Sequence, residues 1–375
     1  MASAPSALHV LPPQVRPQWS AESSARWAVR GAIFVPLVAV ATVVLGRTGA
    51  GAADELLLER GALARAMGFE GVRFAYPPIP TFVASIVRGP ALLVVAGCVF
   101  AALAGLVVAE RLTARGLPLW LRVALVAAIV ATPAAWYVLT QDTAAVMGLS
   151  LLVVAIDGFE RFAMDGETIG GFVTGLALGA AVLCDPAAVI YALALAAAAP
   201  LIAIARYRGE RGVTRATVLV FAFPAAAALA SWWFVEWRFT GSAFHTVRVD
   251  LDLFAFRGGF GPTVGDAVQR LAGVVLRSPL FVAVAIVMAI HRPLSMLGGY
   301  LLPLLALVVG WTVGLNYPDV LAVVLLATLA AMTIPERIGT PDHVLIAVGV
   351  AAELAVAWTW LPSSSVVEPW LNRLL

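Results

Sequence analysis

The chain has 375 residues, of which 62% are hydrophobic and 12% charged, and its formal net charge is +2. With a mean hydropathy of +0.95, this composition excludes a water-facing surface wrapped around a single core. The chain is therefore predicted to be an integral membrane protein, with membrane lipids around it and no nucleic acid among its partners.

Apolar runs of roughly 20 residues, the length that crosses about 30 Å of hydrocarbon, recur from residue 29 almost to the end. Strands of a membrane barrel would alternate between apolar and polar residues, whereas these runs are continuous in Ala, Leu and Val. We therefore predict an all-α, polytopic membrane bundle of about eleven transmembrane helices. The predicted spans are 29–46, 90–109, 117–139, 143–158, 168–184, 186–205, 216–236, 279–291, 296–315, 318–334 and 344–361.

The basic residues predict the orientation of these spans. All 24 are Arg and none is Lys, which is typical of a GC-rich bacterial genome. Alternate short connections contain them, at Arg111 and Arg115, at Arg161 and at 206–215. The short connections on the other side, at 140–143, 185 and 316–317, contain none. Because cytoplasmic loops are enriched in Arg, the N-terminus is predicted in the cytoplasm and the C-terminus outside a bacterial plasma membrane.

Composition divides the chain into three parts. Residues 1–28, with several Pro among Ser and Ala, are predicted to form a disordered cytoplasmic tail. Residues 29–361 are predicted to form the membrane domain, and residues 362–375 an outer C-terminal tail. Two outer loops, 47–89 and 237–278, are long enough to hold chemistry. A cleaved secretory signal over the first span is the alternative, but it would leave the first loop without its N-terminal anchor.

The first outer loop opens with two acids, Asp54 and Glu55, a few residues beyond the first span. Acids beside a membrane span cost solvation energy that packing does not require, so they are candidates for chemistry. The apolar positions between Glu55 and Met67 predict a short amphipathic helix at the membrane interface. Its dipole would keep an acid at its N-terminus ionised and available as a base or metal ligand. An equally simple interpretation is that Asp54 only caps this helix.

A further acid, Asp142, stands in Thr140-Gln141-Asp142-Thr143-Ala144 at the start of the fourth predicted span. The first loop also contains Tyr76-Pro77-Pro78-Ile79, whose prolines favour an extended entry back into the membrane. The order of these features resembles the N-terminal half of GT-C superfamily glycosyltransferases, which include protein O-mannosyltransferases and lipid A aminoarabinose transferases. The resemblance covers roughly residues 29–200.

The resemblance implies inverting transfer of a sugar from a polyprenyl-phosphate donor to a glycan, lipid or protein acceptor outside the cytoplasm. It implies that Asp54, beside Glu55, is the general base or orients the acceptor, and that Asp142 binds donor, acceptor or a divalent cation. No other cofactor is implied. The cations expected to bind the donor phosphate are Arg73, Arg88, Arg248 and Arg257. The acceptor side or cavity wall is expected to include Tyr76, His245, Asn316 and Tyr317.

The chain departs from this family pattern at two positions. Tyr76 stands where some relatives place a Lys before the paired prolines, so Arg must neutralise the phosphate. Cys184-Asp185-Pro186 stands where relatives often have a basic residue before Pro. The second departure adds a carboxylate near the expected site.

Two other functions fit the sequence. A transporter or flippase for a lipid-linked or small substrate would place charges near the middle of the bilayer, and Glu353, inside the last predicted span, is such a residue. A non-catalytic GT-C-like assembly subunit would tolerate the altered Cys184-Asp185-Pro186. The other acids cluster at span ends on one side, which favours an interfacial active site over a path across the membrane.

Overall fold

A computed structural model describes residues 21–162, 167–206, 212–243, 263–291, 300–313, 319–336, 338–359 and 367–375. Every regular element within these ranges is a helix, which confirms the predicted all-α class. The N-terminal half contains α1 (Ala21–Thr48), α2 (Ala52–Met67), the 3₁₀ helix η1 (Gly68–Phe74), α3 (Pro78–Val87), α4 (Pro90–Ala114), α5 (Leu119–Val130), α6 (Pro133–Gln141), α7 (Thr143–Glu160) and α8 (Thr168–Cys184). The C-terminal half contains α9 (Ala188–Arg206), α10 (Val213–Thr240), α11 (Val264–Leu276), α12 (Pro279–His291), α13 (Leu302–Thr312), α14 (Asp319–Thr333), α15 (Thr340–Thr359) and α16 (Val367–Leu374).

Among the described residues, five helices are long and apolar enough to cross a membrane: α1, α4, α7, α10 and α15. The number rises to seven if two bent pairs each count as one span, α5 with α6 at 52° and α11 with α12 at 91°. The predicted spans at 168–184, 186–205, 296–315 and 318–334 correspond to shorter apolar helices. The chain is thus a membrane protein, and its division into about eleven spans stays a prediction.

Three boundaries differ from the sequence prediction. Helix α1 begins at Ala21, so residues 21–28 are helical, while residues 1–20 lie outside the described part of the chain. Helix α10 continues to Thr240 and α11 occupies most of 263–278, so the second outer loop is shorter than predicted. The C-terminal tail contains α16. Extending an existing helix adds a hydrogen bond per residue without a new nucleation cost, which explains the longer α1 and α10.

The bundle is built around α14. Every residue from Val320 to Thr333 is buried, and α4, α5, α6, α7, α11 and α12 pack around this helix. A helix that is apolar on all sides either faces lipid or is covered by other helices, and α14 is of the second kind. The hydroxyls of Thr328 and Thr333 each donate at 2.8 Å to a carbonyl one turn earlier, so their burial leaves no polar group unpaired.

Glycines let α8 lie in backbone contact with both α7 and α10. A Cβ on Gly170 would lie 2.6 Å from the Gly158 carbonyl oxygen of α7, and a Cβ on Gly175 would lie 2.3 Å from the Val220 carbonyl oxygen of α10. Close approach through small residues is typical of helix pairs in membranes. The contact aligns α8 with α7 along most of its length.

Helix α7 connects two ends of the bundle, which its 18 residues separate by about 27 Å. At its N-terminus, Asp142 and Thr143 meet Asp54; we call this the acid end. At its C-terminus, Glu160 pairs with Arg111 and Arg115; we call this the arginine end. The sequence prediction places the acid end outside the cytoplasm and the arginine end inside it.

Candidate functional site

Asp54 lies in the first turn of α2 and reaches across to α7. Its Oδ1 accepts the backbone N–H of Thr143 at 2.8 Å, and its Oδ2 accepts the Thr143 hydroxyl at 3.0 Å. Asp54 is only 1% exposed. The N-cap of α2 is Gly51, so the interpretation of Asp54 as a cap for its own helix is wrong.

Asp142 forms the junction between α6 and α7. It follows the last residue of α6, and its Oδ1 accepts the Ala145 N–H at 3.0 Å as the N-cap of α7. Two carboxylates, those of Asp54 and Asp142, therefore meet at one helix N-terminus. Unpaired N–H groups and the helix dipole favour negative charge there. The structure thus brings these two predicted acids together.

Burial and charge shift the protonation of Asp54. Its pKa is raised from the ordinary value of 3.8 to about 7, chiefly because the carboxyl group is removed from water. The negative charge of Asp142 also raises this pKa, while the two hydrogen bonds from Thr143 lower it. A pKa near 7 means that Asp54 is only partly ionised at neutral pH, because loss of water opposes the ionised form expected from the helix dipole. A carboxyl group with a pKa near neutral pH is suited to general base catalysis.

The linker between α1 and α2 fixes where Asp54 lies. A Cβ on Gly51 would lie 2.4 Å from the carbonyl oxygen of Gln141, so this close approach requires glycine. The Gln141 side chain donates to the Gly49 carbonyl at 3.0 Å, and Gly49 has a φ of +75° that favours glycine. Three consecutive residues thus make three different contacts: Gln141 binds the linker, Asp142 caps α7, and Thr143 binds Asp54.

The helix predicted over 55–67 is confirmed as part of α2, which begins at Ala52. Its buried positions are Asp54, Leu57 and Gly61, which lie on one face. The predicted apolar face is only partly right, because Met67 is 39% exposed. A Cβ on Gly61 would lie 2.7 Å from the backbone of α3, so α2 packs closely on α3. The location of α2 at the membrane interface stays a prediction.

Two arginines of α2 hold the segment that follows it. Arg60 donates to the Tyr76 carbonyl at 2.7 Å, and Arg65 donates to the Ser85 carbonyl at 2.6 Å. Hydrogen bonds from charged donors are stronger than neutral ones. These contacts fix the segment that contains Tyr76 and α3 against α2.

Tyr76 joins this loop to α8 and α10. It is buried, its hydroxyl lies 3.4 Å from the Val182 carbonyl oxygen, and its ring centroid lies 6.0 Å from that of Trp232. Trp232 in turn donates its indole N–H to Glu236 at 3.0 Å. Glu236 is fully buried near the end of α10, so a second buried carboxyl group belongs to this side of the bundle.

Asp185 lies against the first half of α7. It is fully buried, and its Oδ1 accepts the Ala187 N–H at 2.8 Å. A Cβ on Gly148 of α7 would lie 2.6 Å from the Asp185 Cβ, which shows how closely the two backbones approach. The carboxylate at Cys184-Asp185-Pro186 therefore belongs to a residue that packs on Gly148 of α7, five residues after Thr143.

Comparison of this chain with protein-family models, curated proteins and solved structures gave no match. Membership of the GT-C superfamily accordingly stays a prediction from the sequence motifs.

Two of the four predicted phosphate-binding arginines lie in described regions. Arg73 is half-buried in η1, and its Nε has no hydrogen-bond partner among the described residues. Arg88 is exposed at the end of α3, where its φ of 56° is left-handed. Arg73 therefore offers an unused donor in the first loop, whereas Arg88 lies at the turn between α3 and α4.

Other predicted site residues differ in what the structure says of them. Glu55 is exposed, so only Asp54 of the acidic pair is enclosed. His245, Arg248, Arg257, Asn316 and Tyr317 lie outside the described residues. Within the described ranges, no group of three or more His, Cys, Asp and Glu side chains is arranged to hold a metal ion. Asp142 as the ligand of a divalent cation stays a prediction.

Sequence reasoning missed three residues of this site. Thr143 stood in a quoted motif without a role, although it is the hydrogen-bond partner of Asp54. The sequence analysis singles out neither Arg60 nor Glu236, although Glu236 stands within Trp232-Trp233-Phe234-Val235-Glu236-Trp237, an aromatic segment typical of a membrane anchor. A carboxylate within an aromatic anchor is not needed for anchoring, and that mismatch was the available signal for Glu236.

Proposed function

We propose that this chain is an inverting glycosyltransferase that moves a sugar from a polyprenyl-phosphate donor to a hydroxyl acceptor outside the cytoplasm. The observation that carries the proposal is Asp54, a buried carboxyl group with a pKa of about 7 beside a second acid at one end of a membrane bundle. Perturbed acids of this kind are characteristic of catalytic sites. The donor class comes from the sequence resemblance.

The proposed reaction requires one base and one good leaving group. The acceptor oxygen forms a bond to the anomeric carbon while the bond from that carbon to the phosphate oxygen breaks. The hydroxyl proton passes to the Asp54 carboxylate, and the bonding electron pair leaves with the polyprenyl phosphate. Attack opposite the phosphate inverts the anomeric centre. The phosphate needs no proton and is mainly stabilised by cations.

Two further residues, one at the α6–α7 junction and one in η1, support these two needs. The negative charge of Asp142 raises the pKa of Asp54 and so makes it a stronger base. Arg73, with its unused buried donor, is a candidate to bind the departing phosphate. A divalent cation bound through Asp142 would supply further positive charge near the donor.

Access to Asp54 requires a change in the closed arrangement. Because Asp54 is 1% exposed and both its oxygens bind Thr143, an acceptor hydroxyl does not reach it directly. The proposal therefore requires α2 to separate from the α6–α7 junction when the acceptor binds. Motions of loops and short elements that complete a site on substrate binding are common in enzymes.

Sugar transfer in nanodiscs from synthetic polyprenyl-phosphate donors tests the proposal. Asp54→Asn keeps the size of the side chain but removes the base, and should lower the rate by roughly 10²- to 10⁴-fold. Glu59→Gln, an exposed change one turn further along α2, is the matched control and should retain activity. Wild-type rates in Asp54→Asn would reject Asp54 as the base. A parallel series with a chelator tests the divalent cation.

A transporter is the second candidate, supported by Glu353. This residue is fully buried in α15, and its Oε2 accepts the Leu280 N–H at 3.1 Å where α12 begins, just beyond the 91° bend from α11. Discontinuous helices that meet a buried acid are typical of transporters. Substrate counterflow in liposomes that persists in Asp54→Asn and is lost in Glu353→Gln would favour transport over transfer.

A further inference from the structure

The C-terminal helix α16 docks on the acid end of the bundle. It has eight residues, and so short a helix is not stable in isolation. Val367, Trp370 and Leu371 are buried on one face, and the Trp370 ring meets Tyr137 of α6 edge-on, with centroids 5.5 Å apart. Helix α16 therefore owes its structure to this docking.

Two arginines join the C-terminal ends of α1 and α16 reciprocally. Arg47, near the end of α1, donates to the Leu374 carbonyl at 2.9 Å, and Arg373 of α16 donates to the Thr48 carbonyl at 3.3 Å. The last carbonyl groups of a helix lack partners within it, and the helix dipole favours positive charge at that end. Each helix thus supplies a cationic cap for the other.

The Thr48 carbonyl stands directly before the linker that leads to Asp54. Only Gly49, Ala50 and Gly51 separate α1 from α2, and two of these three are glycines with little internal restraint. Gln141 holds the linker from the α6–α7 junction, while Arg373 holds its beginning from α16. Helix α16 also contacts α6, which leads to Asp142. It therefore joins the two segments that bring the acids together.

We infer that α16 is a positioning element for the acid pair, which fixes the 49–51 linker and through it the contact between Asp54 and Thr143. Undocking of α16 frees one side of the linker, so the first turn of α2 moves more freely and water reaches Asp54. Only the consequence for catalysis rests on the proposed function; the consequence for mobility does not.

Hydrogen–deuterium exchange of the full chain in nanodiscs tests this role. Trp370→Ala removes the largest buried side chain of α16, and should raise exchange at the 49–57 amides by roughly tenfold or more, as local opening becomes easier. Exchange within α12, on a different part of the bundle, should stay at its wild-type rate. Glu368→Gln, an exposed change on α16, is the matched control and should alter neither segment.

Two outcomes would overturn the role of α16. The first is faster exchange of 367–375 in Trp370→Ala while 49–57 keeps its wild-type rate. The second is faster exchange in α12 as well, which would mean general loss of structure. If Trp370→Ala does not fold, the surface pair Arg47→Gln with Arg373→Gln is expected to raise exchange at 49–57 alone, and restoration by Lys at both positions would confirm the arginine caps.

A pH series separates this role from the proposed reaction. If Asp54 is the base, undocking lowers its pKa because water reaches the carboxyl group, so the midpoint of the pH–rate profile moves to lower pH. Faster exchange at 49–57 with an unmoved midpoint would leave α16 as a positioning element and reject Asp54 as the base.

Discussion

The two ends of α7 hold their carboxylates in opposite ways. At the arginine end, Glu160 Oε2 lies 2.5 Å from Arg111 Nη2 and 2.7 Å from Arg115 Nη2. At the acid end, Asp54 is held by the N–H and hydroxyl of Thr143, and its charged neighbour Asp142 has the same sign. An opposite charge nearby offsets the free-energy cost of burying a charged group, whereas a like charge adds to that cost. The arginine end is therefore suited to stability, and the acid end has the unfavourable electrostatics that active sites commonly accept.

Replacing each carboxylate by its amide should give the largest difference in stability between the two ends. Glu160→Gln removes the carboxylate that pairs with two largely buried guanidinium groups, so we expect a loss of roughly 3–5 kcal/mol in stability. Asp54→Asn removes a charge from an unfavourable site, and its amide oxygen can accept the Thr143 N–H while its NH2 group donates to the Thr143 hydroxyl oxygen, so stability should be unchanged or higher. Thermal unfolding in detergent at neutral pH measures both. Equal losses of stability in the two variants would mean that the carboxylate charge is equally stabilising at both ends.

Stability and activity should depend on pH in opposite directions through Asp54. Because its pKa is raised from 3.8 to about 7, ionisation disfavours the folded state. The free energy of unfolding is therefore highest, as far as Asp54 is concerned, below pH 4, where the group is protonated in both states. It falls progressively as the pH rises to about 7, by up to about 4 kcal/mol. Transfer should rise over the upper part of the same range, with a midpoint near pH 7, since the base must be ionised.

Melting temperatures of wild type and Asp54→Asn between pH 4.5 and 8 isolate this effect. The difference between the two curves should grow as the pH rises towards 7 and then stay constant. Parallel curves would show that Asp54 does not titrate in this range.

Gly51→Ala should disturb the acid end while sparing the arginine end. An added Cβ would lie 2.4 Å from the Gln141 carbonyl oxygen, so the linker must move away from the α6–α7 junction and take Asp54 with it. Overpacking of this kind costs about 1–3 kcal/mol, and transfer should fall by roughly tenfold or more. Gly46→Ala in α1 is the control, because a Cβ there meets nothing within 4 Å. Equal activity in both variants would reject the linker as a determinant of the site.

Sequence alone predicted the acid end better than the arginine end. Asp54 and Asp142 stand beside apolar spans, where an acid has no packing role, so each could be recognised from its neighbours. Glu160 pairs with arginines 45 and 49 residues earlier, and no local pattern in the sequence identifies that pairing. For the arginine end, the sequence predicts only that Arg111 and Arg115 lie on the cytoplasmic side of the membrane.

The partners of Asp54 show why the rest of the site was not predictable. Thr143 lies 89 residues away, and the choice between a helix cap and a tertiary contact depends on how α2 packs against α7. The same packing removes water from the carboxyl group, which raises its pKa and so opposes the ionised form expected from the helix dipole. Helix α16 was likewise assigned to a tail, because eight residues with three buried positions carry too weak a signal to indicate docking.

The smallest expected effects are two opposite shifts in the pH–rate profile. Thr143→Val keeps the backbone N–H but removes the hydroxyl that stabilises the ionised Asp54, so the pKa should rise and the midpoint should move to higher pH. Asp142→Asn removes a like charge while its amide oxygen can still accept the Ala145 N–H, so the pKa should fall and the midpoint should move to lower pH. Glu160→Gln should leave the midpoint of the pH–rate profile unchanged, since Glu160 lies at the other end of α7. Shifts of the same sign in the first two variants would indicate a general change in structure, and only opposite shifts identify Asp54 as the group that titrates.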